Sequence, residues 1–341
     1  MMTEMQEQKL TWIANHLRNV RYTGLISDVA HEFNISRPSA SKLVKQFIRE
    51  GWLVASGNPR RPTYELGKNR LICQTYAIGD VDEGVIWERD FAPFFDLPRN
   101  IHDISHYGFT EIVNNAHDHS AGNHVYIVMV QRDEVLSLLV ADDGIGIFKK
   151  IQEALDLPDP RLSLLELSKG KLTTDSARHT GEGIFFTSKM FDSFEIDANG
   201  LQFKHDVRMT RDVIFDHPYD GGTLVFMSIS LKSDRKTRDV FDQFTVPGEF
   251  TFSKTVVPVR LASLGGENLV SRSQAKRLVA RFEGFKTVIL DFEQIQEIGQ
   301  AFADEVFRVF KSTHPDVELI TANLSDDVKR MIGRITANAA N

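Results

Sequence analysis

Three groups of residues in the middle of this chain have the types and spacing to act on a charged ligand. Glu111, Asn115 and Asp118 stand at i, i+4 and i+7, so a helix would set them on one face while Ile112, Val113 and Ala116 pack inward. A carboxylate and an amide oxygen one turn apart can hold a water and a Mg²⁺ beside a phosphate chain. The second group, Asp142-Asp143-Gly144-Ile145-Gly146, follows an apolar run. A carboxylate at a strand end can accept from an amino group, and glycines let backbone approach a ligand closely. The third, Gly181-Glu182-Gly183, opens a predicted helix whose free N–H groups and dipole favour an anion.

The elements that must position these groups are legible from periodicity. Alternation over 125–130 and 135–140 predicts two strands joined through Asp133-Glu134. Further strands are expected at 194–197, 201–204 (after an Asn199-Gly200 turn) and 223–231, with helices at 107–119 and 183–191. This is an antiparallel or mixed sheet with helices on one face, an α+β layer.

In order and context the three groups resemble the GHKL nucleotide-binding domain of type II topoisomerases, mismatch-repair ATPases, heat-shock chaperones and histidine kinases. Glu111-x-x-x-Asn115 is similar to its N box, Asp142-x-Gly144-x-Gly146 to its adenine-contacting box and Gly181-x-Gly183 to its phosphate-side box. Thr223, after Gly221-Gly222, is similar to the threonine of its Gly-Thr box, and the resemblance spans roughly 101–231. It implies ATP and Mg²⁺ as ligands. Asp142 would accept the adenine amino group, Asn115 would give an oxygen to Mg²⁺, and Glu111 would polarise the attacking water or hydroxyl. Residues 148–180 would form a mobile lid, with Lys169, Lys171, Arg178 and His179 as candidates to meet phosphate oxygens.

Competing chemistries fit less well. No G-x-x-x-x-G-K-[ST] occurs, which excludes a P-loop. His102, His106, His117 and His119 could suggest a metal centre, but i and i+2 face apart on a helix and no H-E-x-x-H is present, so a structural role is expected. Histidine autokinase activity is disfavoured. The stretch 67–100 reads as irregular rather than as a helical hairpin carrying an acceptor, and His106 lies too close to Glu111 in sequence.

The N-terminal 66 residues carry a different kind of signal. Leu10, Ile13, Ala14 and Leu17 predict one amphipathic helix, and Leu25, Ile26, Val29 and Ala30 a second. Ser36 can cap a third, with Pro38 in its first turn and Gly51 at its end, before two short strands around 57–62. Three helices and a hairpin resemble a winged helix-turn-helix domain. The resemblance implies that Arg37, Ser39, Ser41, Lys42 and Lys45 face the DNA major groove and that Arg60 and Arg61 lie on the wing against phosphate or the minor groove. A helical domain for protein contacts is the alternative. Residues 1–70 hold 11 Lys/Arg against 6 Asp/Glu, a local net charge of +5 in a chain of −7. A basic head on an acidic body is the imbalance expected of a local nucleic-acid contact.

Residues 246–341 read strand, helix, strand, helix, strand, helix, a small α/β layer with a parallel component. Val288–Phe292 followed by Ile298-Gly299-Gln300-Ala301-Phe302 resembles the STAS fold of anti-sigma-factor antagonists. The loop that in that family often holds a phosphorylatable serine has no hydroxyl here, so an interaction or regulatory module is expected. Asp304 and Glu305 would be partner contacts or a solvated face.

The 341 residues fit two or three domains, and 42% apolar with 26% charged residues excludes wholesale disorder. One cysteine, Cys73, excludes an internal disulfide framework and a Cys-rich zinc site. No membrane-spanning run and no signal-peptide pattern are present, so a cytoplasmic protein is expected. The sequence thus reads as a multidomain α+β chain. A winged helix (1–66) and a connector (67–100) would precede a GHKL (Bergerat-type) α/β sandwich (101–235) and a STAS-like α/β domain (246–341). The expected function is an ATP-binding, DNA-binding regulator, dimeric on paired half-sites, with slow hydrolysis at Glu111 and a protein partner for the STAS-like part. The alternatives are an anti-sigma-type serine/threonine kinase acting on a separate protein, and a degenerate ATP binder serving as a scaffold.

Overall fold

A computed structural model describes residues 3–18, 21–172, 181–208, 213–246, 251–263 and 267–339. The chain divides into two units, one formed by 1–146 with 190–236 and the other by 147–189 with 237–341.

The first unit begins with helices α1 (Glu4–His16), α2 (Leu25–Glu32) and α3 (Arg37–Arg49), interrupted by the short strand β1 (Tyr22–Thr23). Ser36 caps α3 by accepting from the Ser39 N–H at 3.3 Å, and Gly51 takes φ +77° just beyond its end. Strands β2 (Leu53–Asn58) and β3 (Arg61–Leu66) pair antiparallel around Pro59-Arg60, with β1 on the far side of β3. The three predicted helices and the hairpin are therefore present, with β1 paired to the hairpin as an addition.

The expectation of an irregular 67–100 is corrected. Residues Arg70–Ala77 form β4, paired over all eight positions with β5 (His124–Arg132). The single turn α4 (Glu83–Ile86) and a wide π-type turn Trp87–Phe91 follow, and the Tyr76 hydroxyl donates to Asp90 at 2.7 Å. Helix α5 (Arg99–His119) then buries Ile101, Ile104, Phe109, Ile112 and Val113. β4 and β5 continue through β6 (Val135–Asp142), β7 (Ser193–Ala198), β8 (Leu201–Asp206), β9 (Val213–Asp216) and β10 (Leu224–Ser230) into a seven-stranded antiparallel sheet of order β4-β5-β6-β10-β7-β8-β9.

The head and this sheet share one core. Leu10, Ile13, Leu17, Val44 and Phe47 from the helices cluster with Leu71 and Cys73 of β4, and Tyr126, Val128 and Val130 of β5 pack against them. The Cys73 N–H donates to the buried Thr11 hydroxyl at 2.9 Å, and Tyr126 donates to Glu7 at 3.2 Å. Gly67 lies so close to the Gly51 carbonyl that an added Cβ would collide with it.

The second unit contains α6 (Ile147–Ala154), α7 (Ser163–Lys169), α8 (Gly183–Met190) and α9 (Thr237–Gln243). Residues 147–189, read from sequence as part of the central domain, thus group with the C-terminal region. The rest of the unit is β11 (Lys254–Pro258), α10 (Arg272–Val279), β12 (Thr287–Asp291), α11 (Gln300–Asp304), a π-type turn Glu305–Phe310 running into α12 (Lys311–Thr313), β13 (Glu318–Ala322) and α13 (Asp326–Ala339). Its three strands are parallel in the order β11-β12-β13. Thr255, Val257, Val288 and Leu290, all at 0% exposure, form the covered face of that sheet.

Candidate functional site

Asp142 ends β6, where the strand's alternation turns its side chain to the same face as the buried Val140 and Leu138. Its Oδ1 accepts from the Gly144 N–H at 2.9 Å and the Thr223 N–H at 3.1 Å, while its own N–H donates to the Thr223 carbonyl at 2.9 Å. Burial pushes the carboxyl above the usual range, and the N–H donors of Gly144 and Thr223 pull against it. Tyr219 is raised too, by burial first and then by the charges of Asp142 and Asp197.

The turn after Asp142 is tied to the end of α5. Ile145 N–H donates to the Ser120 carbonyl at 2.9 Å, and Asp143 accepts from the backbone N–H groups of Asn123 and His124. An added Cβ at Gly144 would collide with the Ser120 carbonyl, and one at Gly222 with the Asp142 carbonyl. The two glycines are therefore required by close backbone approach. Gly146 lies against the Asn199 side chain, whose amide donates to the Ile145 carbonyl at 2.9 Å. The structure thus brings together Asp142, Gly144, Gly146 and Thr223.

Helix α5 packs on β5 and β6 through Ile112, Val113 and Ala116, which leaves Glu111 and Asn115 half-buried on one face and Asp118 exposed. His106 stacks on Trp87 with ring centroids 5.2 Å apart, and His102 meets the same indole edge-on at 5.5 Å. These histidines belong to an aromatic cluster. Among the described residues no group of three or more His, Cys, Asp or Glu could hold a metal ion.

Gly181, Gly183 and Lys169 belong to the second unit. Gly183 opens α8, and the Gly181 carbonyl accepts from Leu172 N–H at 3.0 Å. Lys169 does not fit the expected phosphate contact. Its ammonium is at 0% exposure and donates to Glu166 at 2.7 Å and to the carbonyls of Arg277 and Ala280 at 2.8 and 3.0 Å. Arg281 donates to the other Glu166 oxygen at 2.7 Å. Burial pulls Lys169 down to about 8, opposed by the Glu166 charge. Lys171 is likewise engaged, donating to the Gly284 carbonyl at 2.8 Å and lying over the Phe285 ring. Arg178 and His179 lie outside the described residues.

In the head, α3 buries Ala40, Val44 and Phe47 and turns Arg37, Ser39, Lys42 and Lys45 outward, with Ser41 half-buried. An open groove of about 780 Å³ runs along this face, lined by Pro38, Ser41, Lys42, Lys45, Ile48 and Arg49. The sequence reading omitted Arg49, although its i+4 and i+7 spacing from Lys45 and Lys42 carried the signal. Ser39 spends its hydroxyl on Ser36 at 2.9 Å. Arg60 and Arg61 are exposed at the hairpin tip, where Arg60 N–H donates to the Asn58 side chain at 2.9 Å.

Against known proteins, one family model matches part of the chain. Residues 274–329 form a STAS-like domain, matching the STAS-like domain of unknown function (DUF4325). The match runs from α10 through β12 and β13 into α13. Two solved structures are similar at low identity. They are the IclR transcriptional regulator of Alicyclobacillus acidocaldarius (13% identity, 69% of this chain and 90% of that one, TM-score 0.19) and the Thermotoga maritima IclR (15%, 71% and 96%, TM-score 0.19). At those scores neither likeness bears on fold or function. No curated protein matches the chain. No helix among the described residues is long and apolar enough to cross a membrane.

Proposed function

We propose that this chain is an ATP-responsive DNA-binding regulator, in which nucleotide bound at the first unit's Asp142 end alters DNA or partner binding. The observation that carries the reading is the Asp142 end of β6: a buried carboxylate oriented by two backbone N–H groups, in turns that admit only glycine at 144 and 222. Such a carboxylate can accept from an amino group, as the resemblance to the GHKL domain implies. Asp142, with Thr223 beside it, would fix base identity. Asn115 would offer its amide oxygen to Mg²⁺, and Glu111 on the same half-buried face would orient a water and take its proton. ATP when bound supplies the transferable phosphoryl group. Gly181 and Gly183 remain anion-site candidates from that resemblance, whereas buried Lys169 is withdrawn as a phosphate contact.

The DNA reading rests on the exposed basic face of α3, Arg37, Lys42, Lys45 and Arg49 with Ser39 and Ser41, and on Arg60 and Arg61 at the hairpin tip. A dimer on two half-sites fits a winged helix. Linkage requires that if ATP changes DNA affinity, DNA changes ATP affinity by the same factor. A second reading, a serine/threonine kinase acting on another protein, draws on the STAS-like domain. Because Gly299-Gln300-Ala301 offers no hydroxyl, its acceptor would lie on a separate chain.

The test is ATP affinity and turnover of the wild type and Glu111→Ala, with and without duplex DNA. Mg²⁺-dependent binding, turnover lost in the variant and an effect of DNA support the regulator. Labelled phosphate left on a candidate partner supports the kinase. Absence of ATP binding overturns both.

A further inference from the structure

The parallel sheet of the second unit has one covered face and one open one. On the open face, Val256 is 37% exposed and Ile320 40% exposed, with half-buried Ile289 between them. Strand register makes these three a single row, since Val256 pairs with Ile289 and Ile289 with Ile320. A second row, at the strand starts, is Lys254, Thr287 and Glu318, and the third is Pro258, Asp291 and Ala322. The Thr287 hydroxyl donates to Glu318 at 3.2 Å, which holds that carboxylate over the open face. Thus an apolar row is flanked by a cation on one edge strand and an anion on the other.

We infer that this face is where a second copy of the chain docks, about a two-fold axis running parallel to the strands along β12. The charge pattern selects both the occupant and the axis. Rotation about that axis keeps the row order and exchanges the edge strands. Lys254 then faces Glu318 of the partner subunit twice over, Val256 faces the partner's Ile320, and Ile289 meets the partner's Ile289 at the centre. A two-fold perpendicular to the strands would set Lys254 against the partner's Pro258 and leave both charges unmatched. Asp291, on the axis, meets the partner's Asp291, one like-charge pair against the two Lys254–Glu318 pairs, and each of these carboxylates accepts from Glu293 N–H at 3.0 Å and the Asn323 amide at 2.9 Å.

Strands about 4.8 Å apart and five residues long give a face of roughly 14 by 16 Å. That is well short of the ~800 Å² per partner of a typical stable interface. The contact is therefore weak in free solution and gains effective concentration when another tether, such as one DNA duplex, holds two chains. The inference stands on the second unit alone and does not depend on the nucleotide or DNA reading.

Sedimentation of the full chain over a concentration series tests it. The wild type should show a reversible monomer–dimer equilibrium with a dissociation constant on the order of 10–100 µM, further weakened by salt. Ile320→Asp should raise the dissociation constant at least about tenfold, and Lys254→Glu should do so by opposing like charges. The double variant Lys254→Glu/Glu318→Lys should restore wild-type association, because it reverses each pair. Circular dichroism checks that each variant is folded, and the charge-reversal pair remains decisive if Ile320→Asp is not. A chain monomeric at on the order of 100 µM overturns the inference. So does a dimer indifferent to Ile320→Asp, a double variant that fails to recover, or occupation of the face only by a different protein.

Discussion

Replacing Lys169 with Met separates a buried strut from a ligand contact. The two side chains are close in volume, so the cavity contribution is small and the loss is almost wholly polar. The ammonium contributes one charge-assisted bond to Glu166 and caps two carbonyls, Arg277 and Ala280, at the C-terminal end of α10. Glu166 keeps Arg281 at 2.7 Å and is not orphaned. The two carbonyls belong to half-buried Arg277 and exposed Ala280, so water can replace the lost donor there, and most of the cost is the bond to Glu166, about 1.5–3 kcal/mol for a charged pair. Because Glu166 stays paired with Arg281, no charge is left uncompensated, and the expected destabilisation of the second unit is about 2–3 kcal/mol, the scale of one charge-assisted hydrogen bond lost.

Glu166→Gln should cost at least as much near neutral pH, because it leaves the Lys169 ammonium without its carboxylate. The sign with pH follows from the depressed lysine. The unfolded chain binds more protons between about 8 and the ordinary 10.5, so stability contributed by this group rises with pH across that window. In Glu166→Gln the rise should begin lower. Peptide-level hydrogen exchange over 160–172 and 272–292 reads this locally, which a two-unit chain requires because a single unfolding transition is not assured. Protection unchanged in Lys169→Met, together with weakened ATP binding, would refute the reasoning and restore the phosphate role.

Three further outcomes are expected. Asp142→Asn should weaken ATP binding on the order of tenfold to a hundredfold in a titration with a fluorescent analogue, with no loss of stability. Because burial lifts the folded carboxyl above its ordinary 3.8, ionised Asp142 costs stability at neutral pH, and that cost is relieved as the pH falls from the folded value to below 3.8. Wild-type ATP affinity should therefore fall on acidification earlier than an ordinary carboxylate would allow. Lys45→Ala and Arg49→Ala should each flatten the dependence of log K on log salt for duplex DNA by about 0.9, and unchanged slopes would remove those residues from the phosphate contacts. Thr11→Val should strip the buried Cys73 N–H of its acceptor and cost about 1–3 kcal/mol, seen as faster exchange of that amide and faster thiol labelling.

Much of the architecture was legible because one physical signal dominated locally. β5 and β6 bury one face more deeply than the other, so their alternation showed the strands, and Ser36, Pro38 and Gly51 marked both ends of α3. β4 was missed because Leu71, Ile72 and Cys73 are buried on consecutive positions, one face toward the head and the other away from it, which erases the period of two. Only its pairing with β5 makes the segment a strand. Gly144, singled out in the sequence for close approach to a ligand, lies instead against the chain's own backbone at Ser120. Lys169 was misassigned because a lysine in a loop-like stretch looks solvated. The neighbours that bury it include Arg277, Ala280 and Arg281, more than a hundred residues away, and only the i, i+3 Glu166 was a local clue.

The shared core of head and sheet has a consequence for how such a chain can be taken apart. β5 is roofed on both sides, with Val125, Ile127 and Met129 at 0% exposure on one face and Tyr126, Val128 and Val130 against the head on the other. A cut after residue 66 would not free a bead from a string. It would unroof half a ladder and leave Leu71 and Cys73 bare. The head is consequently no interchangeable cartridge: a foreign winged helix grafted in its place would have to reproduce the Leu10, Ile13 and Leu17 relief that β4 and β5 are moulded to. Motion that reaches the α3 face from the sheet passes through this shared core.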